Sequence, residues 1–322
     1  MQDTNTNVKA NKRKKINIST TAILYVALAF ILIIFSLLSK NFYSVNNIMA
    51  MLQNISYVGI VTVGMALALL GADADLSIGA NAAFTGIIIA IAYSHGINIW
   101  ICLLMGLLVG ALVGVVNGII TTKTGIHPLI STIGMLSVLE GLSLTLTNGQ
   151  SILIQDDVLK FIGRGYISII PFPVILAALF FIGFYILINK TKYGRRLKAV
   201  GLNPKAAFLA GIKVIKLRVI SYIIVGICAS IAGIILSSMT GVGMVQNGIG
   251  INILVLTAVF LGGASLYGGR ANIPGCLAAV LILAAIHNGL TMLNMSYFVV
   301  RIARGVIIIM VVATYEIKER RG

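Results

Sequence analysis

KTKYGRRLKAVGLNPKAAFLAGIKVIKLR, residues 190–218, is the one long polar block inside an otherwise apolar chain. It carries Lys190, Lys192, Arg195, Arg196, Lys198, Lys205, Lys213, Lys216 and Arg218, and no acid. Apolar runs of about 20 residues recur on both sides of it, the length needed to cross ~30 Å of hydrocarbon. Charged residues make up only 10% of the 322-residue chain, hydrophobic ones 59%, and mean hydropathy is +1.04. A soluble domain runs near ~25% charged. The composition therefore describes an all-α, polytopic integral membrane protein, and its glycine content suits helices that pack closely in lipid.

Outward from the block, the hydropathy pattern predicts about ten spans. Six precede it: 19–38, 48–70, a third completed by 81–93 after the interruption GADADLSIGA (71–80), 97–121, 130–146 and 169–188. Four follow: 219–239, a short 251–266, 276–293 and 298–314. This divides the chain into a basic tail (1–18), a single transmembrane domain (19–314) with the polar loop 190–218, and a charged tail (315–322). The first apolar run is too long for the core of a signal peptide.

The net charge of +16 is not a nucleic-acid footprint, because the basic residues sit between apolar spans and not along one solvated face. It is an orientation signal. With ten spans, 19 of the 24 Lys and Arg residues fall on the side of the basic block and both termini, while Lys40, Lys160 and Arg164 fall opposite. The positive-inside tendency then places both termini and residues 190–218 in the cytoplasm. A multi-pass membrane protein is expected.

Chemistry-bearing residues are sparse. Cys102, Cys228 and Cys276 are isolated in apolar segments and read as packing residues. His95, His127 and His287 share no ligand spacing, and no GxxxxGK[ST] phosphate loop occurs, so neither a metal, a cofactor nor ATP hydrolysis by that route is expected of this chain. Asp73 and Asp75 stand within the interruption after the second span. They cap the third helix, with Ser77, or they line a route through a broken helix; the residues alone favour the cap. Asn81, Asn117, Asn252 and Asn288 are the further polar candidates for a translocation path. Glu140 lies inside the fifth span, and Arg301 and Arg304 share a face of the last; an interhelical bond or snorkelling is the expected role of these three.

Within the basic block, Gly194 and Gly201 bracket a short polar stretch that includes Arg195. Asn203 is suited to cap, and Pro204 to open, a short helix PKAAFLAGI that Gly211 ends. Its apolar Ala206, Ala207, Leu209 and Ala210 fit a helix that lies in a partner's groove. A loop that merely fixes orientation and touches anionic membrane lipid is the other reading. The pair LLGADADLSIGA and FLGGASLYGGRA, with NGI (117–119) and NGL (288–290), hints at an internal duplication, which glycine-rich turns also produce by chance.

Taken together, NFYSVNNIMAMLQNISYVGIVTVGMALAL (41–69), DLSIGA (75–80), NGIITTKTGIHPLISTIGM (117–135), TNG (147–149), TKYGRRLKAVGLNPKAAFLAGI (191–212), GGASLYGGR (262–270) and NGLTMLNMSYF (288–298) resemble the permease subunits of bacterial ABC importers of the ribose/simple-sugar branch, within the wider group that includes branched-chain amino-acid permeases. The resemblance implies alternating access driven by ATP-Mg bound to two separate cytoplasmic ATPase domains or one tandem ATPase, with a second permease, identical or not, and an extracytoplasmic binding protein. Residues 194–211 would be the coupling loop, its short helix seated on the ATPase. The loops around 147–166 and 240–250 would receive the binding protein. Two departures from the family pattern, Asp73 where the motif is usually G-G-I-D-L-S, and Asn252 near the start of the eighth span, fall where a path would run. The substrate expected is a simple sugar of ribose type; a nucleoside or a sugar-like signal molecule is the alternative, and an ion-coupled secondary transporter a more distant one.

Overall fold

The computed structural model describes residues 20–296, 298–300, 302 and 305–306. Both expected tails, most of the tenth expected span, Arg301 and Arg304 lie outside the described residues.

The chain opens with α1 (Thr20–Leu38), α2 (Val45–Leu70), α3 (Ile78–Ser94), α4 (Ile99–Thr124) and α5 (Pro128–Thr147). A connection carrying β1 (Ile152–Leu153), α6 (Asp157–Arg164), β2 (Tyr166–Ile167) and β3 (Ile170–Pro171) leads to α7 (Phe172–Lys190). The polar block folds as α8 (Lys192–Leu202) and α9 (Pro204–Leu209). Then come α10 (Val214–Thr240), β4 (Val242–Gly243), a 3-10 turn at Val245–Gly248, α11 (Ile251–Leu261) and α12 (Ile273–Met292). Among the described residues seven helices are long and apolar enough to cross a membrane: α1, α2, α4, α5, α7, α10 and α12. The third and eighth expected spans are shorter apolar helices, α3 at 17 residues and α11 at 11. The polar connection after α5 also holds more structure than its composition suggested: Asp156 accepts from the backbone N–H groups of Val158 and Leu159 and so starts α6.

α2 and α10 are the central helices; α1 and α5 are largely exposed. Lipid tails are as apolar as leucine, so burial alone does not drive such helices together, and close backbone approach does that work. On α4, Gly110, Gly114 and Gly118 face α10, where a methyl group on Gly226 would overlap the carbonyl oxygen of Gly110. Thr85 Oγ1 on α3 reaches Ser230 Oγ on α10 at 3.2 Å, a bond worth ~0.6 kcal/mol in a bundle of this kind.

The connections separate to two ends of the bundle. At one end Gly269 donates its N–H to the Leu70 carbonyl at 3.0 Å, and Gly201 of α8 lies so close to both that a Cβ would overlap Leu70 O. At the other end β1 pairs antiparallel with β4, Tyr93 Oη donates to Gln155 O at 2.8 Å, and the Ser238 hydroxyl donates to Leu159 O. The two loops expected to form one extracytoplasmic surface are thus joined by a ladder.

Candidate functional site

The basic block is a pair of helices clamped to the bundle. Thr191 caps α8 by accepting from Gly194 N–H, and Leu197 and Val200 are fully buried. The short polar stretch between Gly194 and Gly201 is helical; one helix runs through both glycines, and each is buried where a Cβ would meet backbone oxygen, that of Ile188 for Gly194. Tyr193 Oη donates to Leu217 O at 3.1 Å, tying α8 to α10. Asn203 Oδ1 accepts from Ala206 N–H at 3.0 Å, Pro204 opens α9, and Gly211 follows it at φ +80°.

On α9 and just past it, Ala206 and Ala210 are exposed. Ala207 is buried, whereas Phe208 and Leu209 are 69% and 85% exposed, and Leu202 just before them is exposed as well. Pro204, Lys205, Phe208, Leu209 and Val214 line an open apolar groove. Scattered exposed apolar residues are ordinary, but large ones adjacent on a short cationic helix mark a contact surface. Phe208 is the residue that sequence reasoning passed over; an aromatic beside Leu209 in a polar block was the signal.

At the α2–α3 break, Asp73, Asp75, Ser77, Asn81 and Asn117 are all buried. Asp75 Oδ1 accepts from Ser77 N–H at 2.8 Å and Ser77 Oγ at 2.7 Å, and its Oδ2 accepts from Asn117 Nδ2 at 3.2 Å. Asn117 Nδ2 also donates to Ser77 Oγ at 2.9 Å. Thr132 of α5 adds its hydroxyl as acceptor for Leu76 N–H at 3.1 Å. The cluster joins α3, α4 and α5 to the break. Burial pushes the Asp75 carboxyl above its ordinary value, against the hydrogen bonds from Ser77 and Asn117. Asp73 takes a different partner. Arg218, in the first turns of α10, grips it with Nε at 3.0 and 2.9 Å from the two carboxyl oxygens and Nη2 at 2.5 Å from Oδ1. Burial is the largest influence on Asp73 and raises its pKa; the guanidinium works the other way.

The remaining candidates are not brought to this cluster. Asn288 forms a reciprocal amide pair with Asn47, each bond 2.9 Å, which fastens α12 to the start of α2. Asn252, near the α11 N-terminus, accepts locally from Ile253 N–H. Glu140 sits exposed on α5 with Ser137, Gly141 and Thr145, and has no hydrogen bond or ion pair among the described residues.

A family model described as branched-chain amino acid transport system / permease component matches residues 47–314. The ribose import permease protein RbsC of Bacillus subtilis (strain 168) is 36% identical over 89% of this chain and 90% of its own length. The L-arabinose transport system permease protein AraH of Escherichia coli (strain K12) is 34% identical over 92% and 90% respectively. A probable ABC transporter permease protein, YphD of the same strain, is 33% identical over 90% and 87%. No solved structure matches the chain.

Proposed function

This chain belongs to the branched-chain amino acid transport system / permease component family, and from that premise we propose that it is the permease of an ATP-driven sugar importer in the bacterial cytoplasmic membrane, with a pentose such as ribose or arabinose as cargo. The names of its relatives support the cargo class. In this reading the end of the bundle with α8 and α9 faces the cytoplasm, and a separate ATPase seats on α9.

The observation that carries the reading is the exposed Phe208–Leu209 face. It stands on a helix whose neighbours, α8 and the first turns of α10, are locked to the membrane-spanning core through Leu197, Tyr193 and Arg218. A load applied at α9 is carried by rigid contacts to the α2–α3 break and to α10, as a rigid-body switch between inward- and outward-open states requires. Arg195 and the buried Gly194 and Gly201 hold α8 in place, while Asn203, Pro204, Ala206 and Gly211 shape α9.

A second permease covers the exposed face of α5. An uncovered carboxylate near the middle of a span costs at least ~2.5–3.5 kcal/mol in hydrocarbon, so Glu140 faces a partner subunit or the water-filled path between two copies. Asp75, Ser77, Asn81 and Asn117 then serve as the buried hinge of the path and not its lining. The ladder-joined loops at the far end receive the extracytoplasmic binding protein. Co-purification of the detergent-solubilised chain with the ATPase of a sugar importer tests the reading: retention by the native chain and loss with Leu209→Asp is expected, and equal retention by both would overturn it.

A further inference from the structure

At the same end of the bundle as α9, but sharing no residue with its apolar groove, lies a cleft of about 280 Å³. Arg195 and Lys198 of α8 and Arg270 of the α11–α12 connection line it, with the amides of Asn189 and Asn272. Among the described residues no carboxylate lines it. The side chains of Lys198 and Arg270 have neither hydrogen bond nor ion pair among the described residues, and Arg195 spends one donor on Lys190 O at 3.2 Å. Three cations gathered in one recess repel each other unless an anion joins them.

The floor of the cleft identifies that anion. Leu70 is the last residue of α2, Ile188 lies in the last turn of α7, and Ala271 and Asn272 immediately precede α12. The recess therefore opens where three membrane-spanning helices end, at the level of lipid headgroups. It combines the apolar side chains of Leu70, Ile188 and Ala271 with cationic donors. An amphiphile with a phosphate head matches both; a protein partner would be met by the apolar face of α9 instead. We propose that this cleft is a binding site for the phosphate headgroup of an anionic phospholipid, held by Lys198 and Arg270 with Arg195 beside them. Basic recesses between span ends on the cytoplasmic side are suited to such lipids. A bound lipid would bridge α8 to the α11–α12 connection, cementing the contact that Gly201 makes with Gly269.

The test uses the full-length purified chain, stripped of lipid in detergent, with phosphatidylglycerol, phosphatidylcholine and inorganic phosphate added in separate arms. Native mass spectrometry reads bound lipid, and thermal unfolding reads stabilisation. Phosphatidylglycerol is expected to stay bound and to raise the melting temperature, and the other two are not. Lys198→Gln with Arg270→Gln should weaken that binding about thirtyfold, the effect of two surface charges. Lys198→Arg with Arg270→Lys, which keeps both charges, should retain it, as should Lys123→Gln elsewhere. The proposal fails if the charge-removing pair binds phosphatidylglycerol like the native chain, if inorganic phosphate alone reproduces the stabilisation, or if that pair keeps the lipid and instead loses the ATPase.

Discussion

Arg218 and Asp73 are 145 residues apart in the chain and joined by two guanidinium nitrogens, at 2.5 to 3.0 Å from the carboxyl oxygens. Asp73 has no exposed surface, and the Arg218 side chain is 21% exposed. The pair bolts the break after α2 to the first turns of α10, immediately beyond α9. Among the described residues it is the one ion pair between the basic block and the interior of the bundle.

Asp73→Asn should therefore destabilise the chain by about 3 kcal/mol, because it leaves a mostly buried guanidinium without its charge partner. Part of that loss should return in Asp73→Ala with Arg218→Met, where neither charge is stranded. Arg218→Lys should behave as a loss variant, since an ammonium cannot supply the two-pronged grip. Thermal unfolding in detergent measures all three. Additive losses in the double variant would show that the two residues act independently.

Phe208→Asp and Leu209→Asp should abolish ATPase association while leaving the melting temperature within about a degree of native, because both side chains already face solvent. Ala207→Arg should do the opposite: it drives a long charged chain into a packed site and lowers stability first. Comparing co-purification with melting temperature separates the two effects.

At the break, Asp75→Asn should be tolerated to within about 1 kcal/mol. Ser77 keeps its acceptor, and Asn117 can turn its Oδ1, which has no partner among the described residues, to the new amide at the cost of the one bond its Nδ2 gives Ser77 Oγ. Asp75→Ala removes every acceptor and should cost about 2 kcal/mol. Equal damage from both would mean that the carboxylate charge, and not its hydrogen-bonding geometry, holds the site.

Gly226→Leu should prevent the native packing of α4 on α10, because the new side chain meets the Gly110 carbonyl and not another side chain. A loss of at least ~3 kcal/mol, or failure to obtain a monodisperse protein, is expected. Size-exclusion profiles check it, with Gly183→Leu, at a site open to surrounding space, as the control.

Much of this molecule was legible from its residues. Hydropathy marks the spans because a chain in lipid must satisfy its backbone within helices. Asn203-Pro204 and Gly211 mark α9 because capping and left-handed stops are local chemistry. The inward turn of Ala207 is not legible in the residues, because a helix of six has too little period to say which side packs inward. The Asp73–Arg218 pair was out of reach for another reason: nine cations share the block, and only the three-dimensional return of α10 beside α2 selects one of them. Asn252 and Asn288 have the same composition as Asn81 and Asn117, and only topology separates them.

In the proposed transport cycle, force enters the bundle through α9. The direct measurement is the initial rate of labelled ribose and arabinose uptake into proteoliposomes that hold the chain with its ATPase and binding protein, native against Leu209→Asp. ATP-dependent uptake of one of these pentoses that falls to background in the variant is predicted. Uptake that continues unchanged in the variant, or that proceeds without ATP on a proton gradient, would show that α9 does not drive transport.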